Sequence, residues 1–390
     1  TSVTGVQTCA LPIYVAFERG EGPYLFTEDG RRFLDFGSGI AVNSLGHCHP
    51  ALIQTLSEQS EKLWHCSNLY RIPKQEKLAG ILTANSFADS VFFCNSGAEA
   101  VEAGLKLVRK FQSHSGHPER FRVITFAGSF HGRTLTTISA AANDAHKAGF
   151  GPMVDGFDIV PFGNLEEARA AVTKETAAIL VEPIQGEGGI RPAEKAFLAD
   201  LRKLCDEFGL LLFFDEVQTG IGRTGHLFAH QAADVMPDVI AIAKGLGGGF
   251  PVGACLASEK AAAGMTAGTH GSTFGGNPLA MAVACKVLDI ILEEALLKKC
   301  VELGVELRTR IKQCYQNYPN LVEEVRGAGL MVGIKAIVPA GELVTAFRDH
   351  GLLTVPAGDN VVRLLPPLII DQNHVDEALE MMSSAFKALT

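Results

Sequence analysis

The sequence predicts an α/β fold in which a mostly parallel, doubly wound sheet is joined to a smaller α+β domain. The first observation is a series of short, continuous apolar runs, which are typical of strands buried on both faces of a parallel sheet. The second is that helical stretches separate these runs, as in repeated βαβ units. The third is a change near Met281, where a long helical pattern precedes mixed short strands and helices. A large and a small domain are therefore expected.

The chain begins with two segments that precede the large domain. Residues 1–13, TSVTGVQTCALPI, lack the basic start and long apolar core of a secretory signal, and we interpret them as a non-native leader. Residues 14–50 contain two short strands around an Asp-Gly turn, which is a hairpin signal. We expect residues 14–50 to pack with the small domain, residues 281–390, while residues 51–280 form the large domain.

The elements of the large domain follow in order. Residues 49–65 have leucines at helical spacing, and residues 90–111 indicate a strand, a tight turn and an amphipathic helix. Further strands are predicted in the runs RVITF, AAILVEP, LLLFFDE and DVIAIA, with helices such as PAEKAFLADLRKLCDEFG between them. A single long helix is then predicted over residues 281–315.

Composition excludes several classes of protein. The net charge is −9 and no window forms a basic stripe, which argues against nucleic-acid or anionic-membrane partners. No apolar run approaches the roughly 20 residues of a membrane helix. The nine cysteines are scattered without a CxxC pair, so we expect no zinc knuckle and no disulfide framework, but reduced thiols in a cytoplasmic enzyme.

Three polar groups stand at the ends of predicted strands, where sheets of this class bind ligands. The first strand ends at Ser96, Gly97 and Ala98 and opens a helix whose free N–H groups suit an anion, although an ordinary helix cap has the same pattern. The second run ends at Asp215, a residue type that also caps helices. The third ends at Lys244, and a lysine is costly to bury without a chemical or charged partner.

An anion cradle, a carboxylate and an amine at one sheet edge match the phosphate, ring nitrogen and aldehyde of pyridoxal 5′-phosphate. Lys244 would form the Schiff base, and Asp215 would keep the ring nitrogen protonated. The competing interpretation is a nicotinamide-dependent Rossmann enzyme, which needs GxGxxG directly after the first strand. The glycine cluster at residues 245–249 instead follows a late strand.

With these residues in place, the chain resembles the class III (subgroup II) pyridoxal-phosphate aminotransferases and, within them, the acetylornithine aminotransferases. The resemblance covers Tyr14 to the C terminus. It implies fold type I for the large domain and a homodimer with shared active sites. It rests on seven motifs in order: NSGAEAVEAGLKLVRK, FHGRTLTTISA, VEPIQGEGG, FFDEVQTGIGRTG, AKGLGGGFPVGA, HGSTFGGNPLA and RGAGLMVGI.

The resemblance also implies residue roles around the cofactor. Lys244 and Asp215 would be catalytic, and the backbone N–H groups of Gly97 and Ala98 would bind the phosphate. Phe130 would stack on one ring face and Val217 on the other, Gln218 would approach the ring hydroxyl, and Thr273 would reach the phosphate in the neighbouring subunit. The implied cofactor contacts are Ser96, Gly97, Ala98, Phe130, Asp215, Val217, Gln218, Lys244 and Thr273.

Four more residues are implied in substrate binding. Arg133 would take a substrate carboxylate, and Ser272 would touch the substrate of the neighbouring subunit. Arg363 would take the α-carboxylate of 2-oxoglutarate, and Glu187 would cover that arginine when it is not needed. Without the resemblance, Arg133 is interpreted either as a cap on a carbonyl group or as a solvent-exposed charge, and Glu187 as a solvated acid. Arg363 lies between apolar residues and needs an anionic partner.

Three residues within these motifs also have structural interpretations. Phe130 on its own would be assigned to the core. His131 has no partner that the sequence identifies, and we expect it to be a hydrogen-bonded structural histidine. Glu182 ends a strand and is interpreted either as a cap or as support for the site. The pair His47 and His49 lacks a third ligand, so no metal site is predicted.

The activity implied by the resemblance is transfer of the δ-amino group of N2-acetyl-L-ornithine to 2-oxoglutarate, which gives N-acetyl-L-glutamate 5-semialdehyde and L-glutamate in arginine biosynthesis. Another ω-aminotransferase, acting on succinylornithine, ornithine or 4-aminobutyrate, would keep nearly all of these residues, and so would an aminomutase. A non-catalytic binding protein of the same fold is the distant alternative. The intact Lys244, Asp215 and phosphate turn argue against it.

Overall fold

The computed structural model describes residues 15–390, so the leader predicted in residues 1–13 lies outside the described residues. The strands, numbered in chain order, are β1 Phe17–Glu21, β2 Tyr24–Thr27, β3 Arg32–Asp35, β4 Ser90–Cys94, β5 Arg122–Phe126, β6 Phe157–Val160, β7 Thr176–Val181, β8 Ile184–Gln185, β9 Arg191–Pro192, β10 Leu211–Asp215, β11 Val239–Ile242, β12 Gly253–Ala257, β13 Val322–Ala328, β14 Met331–Ala336, β15 Leu352–Leu353, β16 Val355–Ala357 and β17 Val361–Leu364.

The helices separate these strands along most of the chain. They are α1 Ser38–Ala41, α2 Pro50–Ser60, α3 Pro73–Ala84, α4 Gly97–His114, α5 Leu135–Ser139, α6 Asp144–Lys147, α7 Leu165–Ala170, α8 Lys195–Phe208, α9 Ala229–Ala233, α10 Glu259–Ala262, α11 Pro278–Ile291, α12 Glu294–Tyr315, α13 Ala340–Asp349 and α14 Gln372–Ala388, with a 3₁₀ turn at Lys244–Leu246. Among the described residues, no helix has the length and apolar content needed to cross a membrane.

The central sheet has seven strands in the order β4-β12-β11-β10-β7-β5-β6. Its strands are parallel to one another except β12, which is antiparallel to both of its neighbours. Residues of β10 alternate between two cores: Leu211 and Phe213 pack with apolar residues of α4, whereas Leu212 and Phe214 pack with those of α8. Because helices cover both faces, the sheet is doubly wound, as the sequence predicted.

Two smaller sheets lie outside the central one. The first, β1-β2-β3-β15, joins the N-terminal hairpin to the C-terminal part of the chain, since β3 pairs in parallel with β15. The second, β13-β14-β17-β16, is antiparallel and carries Arg363 on β17. Within the N-terminal segment, residues 34–36 are therefore hydrogen-bonded to residues 351–353.

The single helix predicted over residues 281–315 is wrong. The structure has two helices, α11 and α12, which are separated by Leu292 and Glu293, and the ψ angle of Glu293 is 121°. α11 packs against α2 and α3, while α12 packs against α14 and β13. The apolar periodicity continues through the break, but the two halves cover different surfaces. The helix predicted over residues 49–65 also ends early, at Ser60.

Candidate active site

A cavity of about 400 Å³ opens at the carboxyl edge of the central sheet, which is within the size range of small-molecule sites. Its walls come from the segments that follow β4, β5, β7, β10 and β11. Most of the predicted site residues therefore meet around one space. Those that line it are Ser96, Gly97, Ala98, Phe130, Arg133, Glu187, Asp215, Val217, Gln218 and Lys244.

The turn between β4 and α4 forms one corner of the cavity. Ser96 caps α4, because its side chain accepts a hydrogen bond from the Glu99 N–H at 3.2 Å. A Cβ atom on Gly97 would lie 2.6 Å from Cγ1 of Val217, so a larger residue does not fit. The first N–H groups of a helix have no partner within that helix and carry partial positive charge. This corner therefore suits an anion such as a phosphate group.

Asp215 ends β10 and is only 4% exposed. Its Oδ1 accepts a hydrogen bond from the Val217 N–H at 3.0 Å, and its Oδ2 lies 2.8 Å from Nδ1 of His131. His131 is therefore hydrogen-bonded, as expected, and its partner, which the sequence did not identify, is Asp215. Burial alone would lower the pKa of His131, but the carboxylates of Asp215 and Glu182 outweigh it and raise that pKa. Asp215 thus places a buried carboxylate, supported by His131, at the floor of the cavity.

Lys244 begins a 3₁₀ turn two residues after β11 ends. Its backbone φ is +44°, an uncommon conformation for a residue that is not glycine, and such strain is concentrated at functional sites. Burial lowers the pKa of Lys244, while the charges of Glu187 and Asp215 offset part of that effect. A lowered pKa makes the neutral, nucleophilic form of the amine more accessible near neutral pH.

Phe130 and Glu182 lie together on one wall. The Phe130 N–H donates a hydrogen bond to Oε2 of Glu182 at 3.0 Å, and the Gly186 N–H donates to Oε1 at 3.2 Å. Burial raises the pKa of Glu182 to about 7, while His131 lowers it and Asp215 raises it. From the sequence, Glu182 was interpreted either as a cap or as support for the site. In the structure, its buried carboxyl group binds the segment that follows β5 and the segment that follows β7.

Arg363 lies behind Glu187 and is 1% exposed. Its two terminal nitrogens contact the two carboxylate oxygens of Glu187 at 2.6 and 3.0 Å, so the pair is bidentate. The same guanidinium also donates to the carbonyl of Pro356 at 3.0 Å and approaches Oε1 of Gln218 at 3.4 Å. The contact between Glu187 and Arg363 that the resemblance implies is therefore present in the structure.

The other predicted substrate residues are placed differently. Arg133 is exposed, and its guanidinium lies 5.4 Å from the centre of the Phe130 ring. Ser272 and Thr273 are not among the residues of their own chain that line this cavity. Ser272 Oγ instead accepts a hydrogen bond from the Gly275 N–H at 2.9 Å, and Thr273 is exposed.

These groups fit pyridoxal phosphate. The α4 corner offers N–H groups to a phosphate, and the close approach of Val217 to Gly97 leaves no room there for a side chain. Asp215 offers a buried carboxylate to a protonated ring nitrogen, and Lys244 offers an amine to an aldehyde. Phe130 and Val217 supply apolar contacts for a flat ring. Together, these groups match the phosphate, the ring nitrogen, the aldehyde and the ring faces of the cofactor.

Comparison with known proteins gives the same family. The family model described as "Aminotransferase class-III" matches residues 6–386. An acetylornithine aminotransferase from Agrobacterium fabrum is 57% identical over 374 residues, which cover 96% of this chain and 94% of the relative.

Solved structures agree in fold. The N-acetylornithine aminotransferase of Stenotrophomonas maltophilia has a TM-score of 0.85 and 39% identity, covering 97% of both chains. The ornithine aminotransferase of Toxoplasma gondii has a TM-score of 0.95 and 31% identity, covering 99% of this chain and 93% of that one. These matches confirm the predicted fold, and the chain belongs to the class-III aminotransferases.

Proposed function

We propose that the protein uses pyridoxal 5′-phosphate to transfer the δ-amino group of N2-acetyl-L-ornithine to 2-oxoglutarate. The observation that carries this proposal is the Glu187–Arg363 pair, which lies beside Lys244 and Asp215 on one cavity. A covered arginine is what a site needs when it must accept two substrates with different charges near the reacting carbon. The acetylornithine aminotransferase of Agrobacterium fabrum matches nearly the full chain, which supports the choice of donor.

The residues divide the chemical work among them. Bound pyridoxal phosphate supplies an electron sink for the substrate carbanion. The Lys244 amine would take a proton from the substrate carbon that bears the amino group and deliver it to the cofactor carbon that receives this group. Asp215, held by the Val217 N–H and by His131, stabilises a proton on the ring nitrogen. Phe130 and Val217, which both line the cavity, would pack against the two faces of the ring and exclude water from them.

Glu187 and Arg363 would distinguish the two substrates. Acetylornithine presents an amine at its reacting end, so an uncovered Arg363 would attract the wrong end of the molecule, its α-carboxylate. Glu187 neutralises Arg363 during this half-reaction. 2-Oxoglutarate has a carboxylate next to its reacting carbon, and it takes the place of Glu187 on Arg363. Arg133, which is exposed at the rim, binds the distant carboxylate.

We also propose that the active unit is a homodimer with shared sites. Ser272 and Thr273 lie on a segment whose neighbours are exposed and apolar: Trp64 is 65% exposed, Leu69 88% and Phe274 62%. Asn68 ties the two segments together, because its Nδ2 donates to the carbonyl groups of residues 272 and 275. Contiguous apolar surface of this kind is typical of interfaces, and a second copy would bring Thr273 to the phosphate corner of its neighbour.

Residues 15–390 contain eight free cysteines, which is usual in a reducing compartment and supports a cytoplasmic location. Fractionation of cells that express the full chain tests this. Recovery of the protein outside the cytoplasmic fraction would contradict it.

A panel of amine donors with 2-oxoglutarate tests the proposed activity. We expect N-acetylornithine to give the highest kcat/KM among acetylornithine, succinylornithine, ornithine, 4-aminobutyrate and glutamate. A higher kcat/KM for another ω-amine would mean that the protein is an aminotransferase with a different donor. Isomerisation of an amino acid without 2-oxoglutarate would instead indicate an aminomutase, and absence of turnover with all donors would favour a binding protein.

Mixed dimers test the shared site. Lys244→Ala removes the amine and Thr273→Ala removes the proposed contact to the neighbouring phosphate, so each homodimer should be inactive or severely impaired. Hybrid dimers contain one intact site and should recover activity. If exchange of subunits is demonstrated and Thr273→Ala alone is severely impaired, absence of recovery would contradict sharing.

A further inference from the structure

Two loops of the large sheet meet on the wall of the cavity. The first is residues 127–132 after β5, here called the β5 loop. The second is residues 182–190 after β7, which include the two-residue strand β8 and are here called the β7 loop. Their backbones touch, because a Cβ atom on Gly188 would lie 2.4 Å from the carbonyl oxygen of Gly128. The two loops therefore approach each other so closely that only glycine fits at residue 188.

Side chains of the β7 loop bind the backbone of the β5 loop at two points. Glu182 accepts a hydrogen bond from the Phe130 N–H at 3.0 Å, and Gln185 Nε2 donates to the carbonyl of Ala127 at 2.9 Å. Glu182 differs from Gln185 in that it also holds its own loop, through the Gly186 N–H at 3.2 Å. The Glu182 carboxyl group thus joins the backbone of Phe130, the predicted ring-stacking residue, to the backbone of Gly186, which precedes Glu187.

A role as a simple cap does not explain why the carboxyl group of Glu182 is buried at the cavity. It is 6% exposed and lines the cavity, where a carboxyl group is costly unless its oxygens are satisfied. His131, Asp215 and Lys244 are the charged or titratable groups whose charges couple to it. Its removal would therefore change both the backbone positions and the charge at the cavity floor.

We propose that Glu182 is a positioning residue that fixes the base of the Glu187 loop and the Phe130 backbone to one another. This inference rests on the proposed function, since it gives Glu187 a fixed pivot from which to leave Arg363. Glu182 holds the Gly186 N–H, and Arg326 donates to the Gly189 carbonyl at 2.7 Å, so the backbone is held on both sides of Glu187. The side chain of Glu187 then exchanges partners while Phe130 keeps its place.

Hydrogen–deuterium exchange of the full-length protein tests the positioning without any turnover. Glu182→Gln keeps the size but loses one of the two acceptors, and Glu182→Ala loses both. The loss of a single hydrogen bond predicts exchange about 5- to 10-fold faster. We expect Glu182→Ala to speed exchange in both the β5 loop and the β7 loop.

Glu216→Gln is the matched control. Glu216 is fully buried and also accepts hydrogen bonds from two backbone N–H groups, those of Ala229 and His230, but its side-chain hydrogen bonds go to neither loop. We expect Glu216→Gln to lower the Tm of the protein without speeding hydrogen exchange in the β5 loop or the β7 loop. Faster exchange in only one loop after Glu182→Ala, or the same pattern after Glu216→Gln, would overturn the proposal.

A second measurement separates positioning from general structural support. In single-turnover experiments, Glu182→Gln should lower the ratio of the acetylornithine rate to the glutamate rate by about tenfold, the equivalent of one hydrogen bond. Glu216→Gln should keep that ratio. An unchanged ratio in Glu182→Gln would mean that Glu182 only stabilises the fold. If wild-type protein does not use acetylornithine, the proposed function fails, but the exchange experiment still decides the coupling of the loops.

Discussion

Asp215 and Glu187 lie on the same cavity, one on the floor formed by the sheet and one on a loop, and the protein holds the two carboxylates differently. Asp215 ends a fully buried strand, is 4% exposed and has both oxygens bound by other parts of the site. The side chain of Glu187 is 31% exposed, and Gly186 and Gly188 flank it. Its side-chain hydrogen bonds within the described residues all go to Arg363. The floor therefore carries a fixed charge, and the loop carries one that can change partner.

The first prediction concerns the floor and has the largest effect. Lys244→Ala should abolish turnover, because no other described lysine lines the cavity and only an amine forms the Schiff base. Reduction of the wild-type protein with borohydride, followed by peptide mapping, should place the cofactor on Lys244. A label on another lysine would contradict the assignment.

The second prediction tests whether the charge of Asp215 is what matters on the floor. Asp215→Asn keeps the size of the side chain but removes the charge beside the ring nitrogen. We expect the half-reaction to slow by about 10²–10³-fold, as for the loss of other electrostatic partners. Visible absorbance should show that the cofactor still binds to Lys244. Stopped-flow rates close to those of the wild type would exclude Asp215 as the ring-nitrogen partner.

The third prediction is a smaller effect on stability. Because burial lowers the pKa of Lys244 in the folded state, the unfolded chain binds more protons between that pKa and about 10.5. This group therefore makes the cofactor-free protein more stable as the pH rises through that range. Lys244→Met should raise the Tm at pH 7, and the gain should shrink toward pH 10.5. A gain that does not change with pH would mean that the amine is not destabilised by burial.

The fixed part of the site was largely predictable from the sequence. Apolar runs and the polar residues that end them are local signals, so the sequence alone identifies the strand ends at Ser96, Asp215 and Lys244. The rule that parallel strands present their carboxyl ends at one edge then brings them together. The same rule accounts for the central sheet, which the structure confirms.

Features that depend on contacts between distant segments were not predictable. The pair of His131 with Asp215 joins the ends of β5 and β10, which are separated in the sheet by β7, and the sequence does not specify the distance between them. The break between α11 and α12 was missed because apolar spacing continues through it. The available signal for the pair was the position of His131 shortly after β5, because β5 and β10 end at the same edge of the sheet.

The movable part of the site rested on resemblance more than on local pattern. An acid between glycines, as at Glu187, is most often solvated, and its sequence does not reveal that Arg363 lies within 2.6 Å of it. Arg363 did carry a signal, because a charged residue within an apolar strand requires a partner. The identity of that partner depends on the packing of the C-terminal sheet against the β7 loop.

Single-turnover measurement of both half-reactions in Glu187→Ala and Arg363→Ala tests the central claim most directly. Glu207→Ala is the matched control, because Glu207 forms a bidentate pair with Arg169 at the surface, with distances of 2.7 and 2.8 Å. We expect Glu187→Ala to weaken the acetylornithine half-reaction and to shift the donor preference toward glutamate. Arg363→Ala should chiefly damage the 2-oxoglutarate half-reaction, and the control should leave both unchanged. Equal losses in both half-reactions for both site variants would contradict an Asp215 carboxylate that stays in place and a Glu187 carboxylate that changes partner.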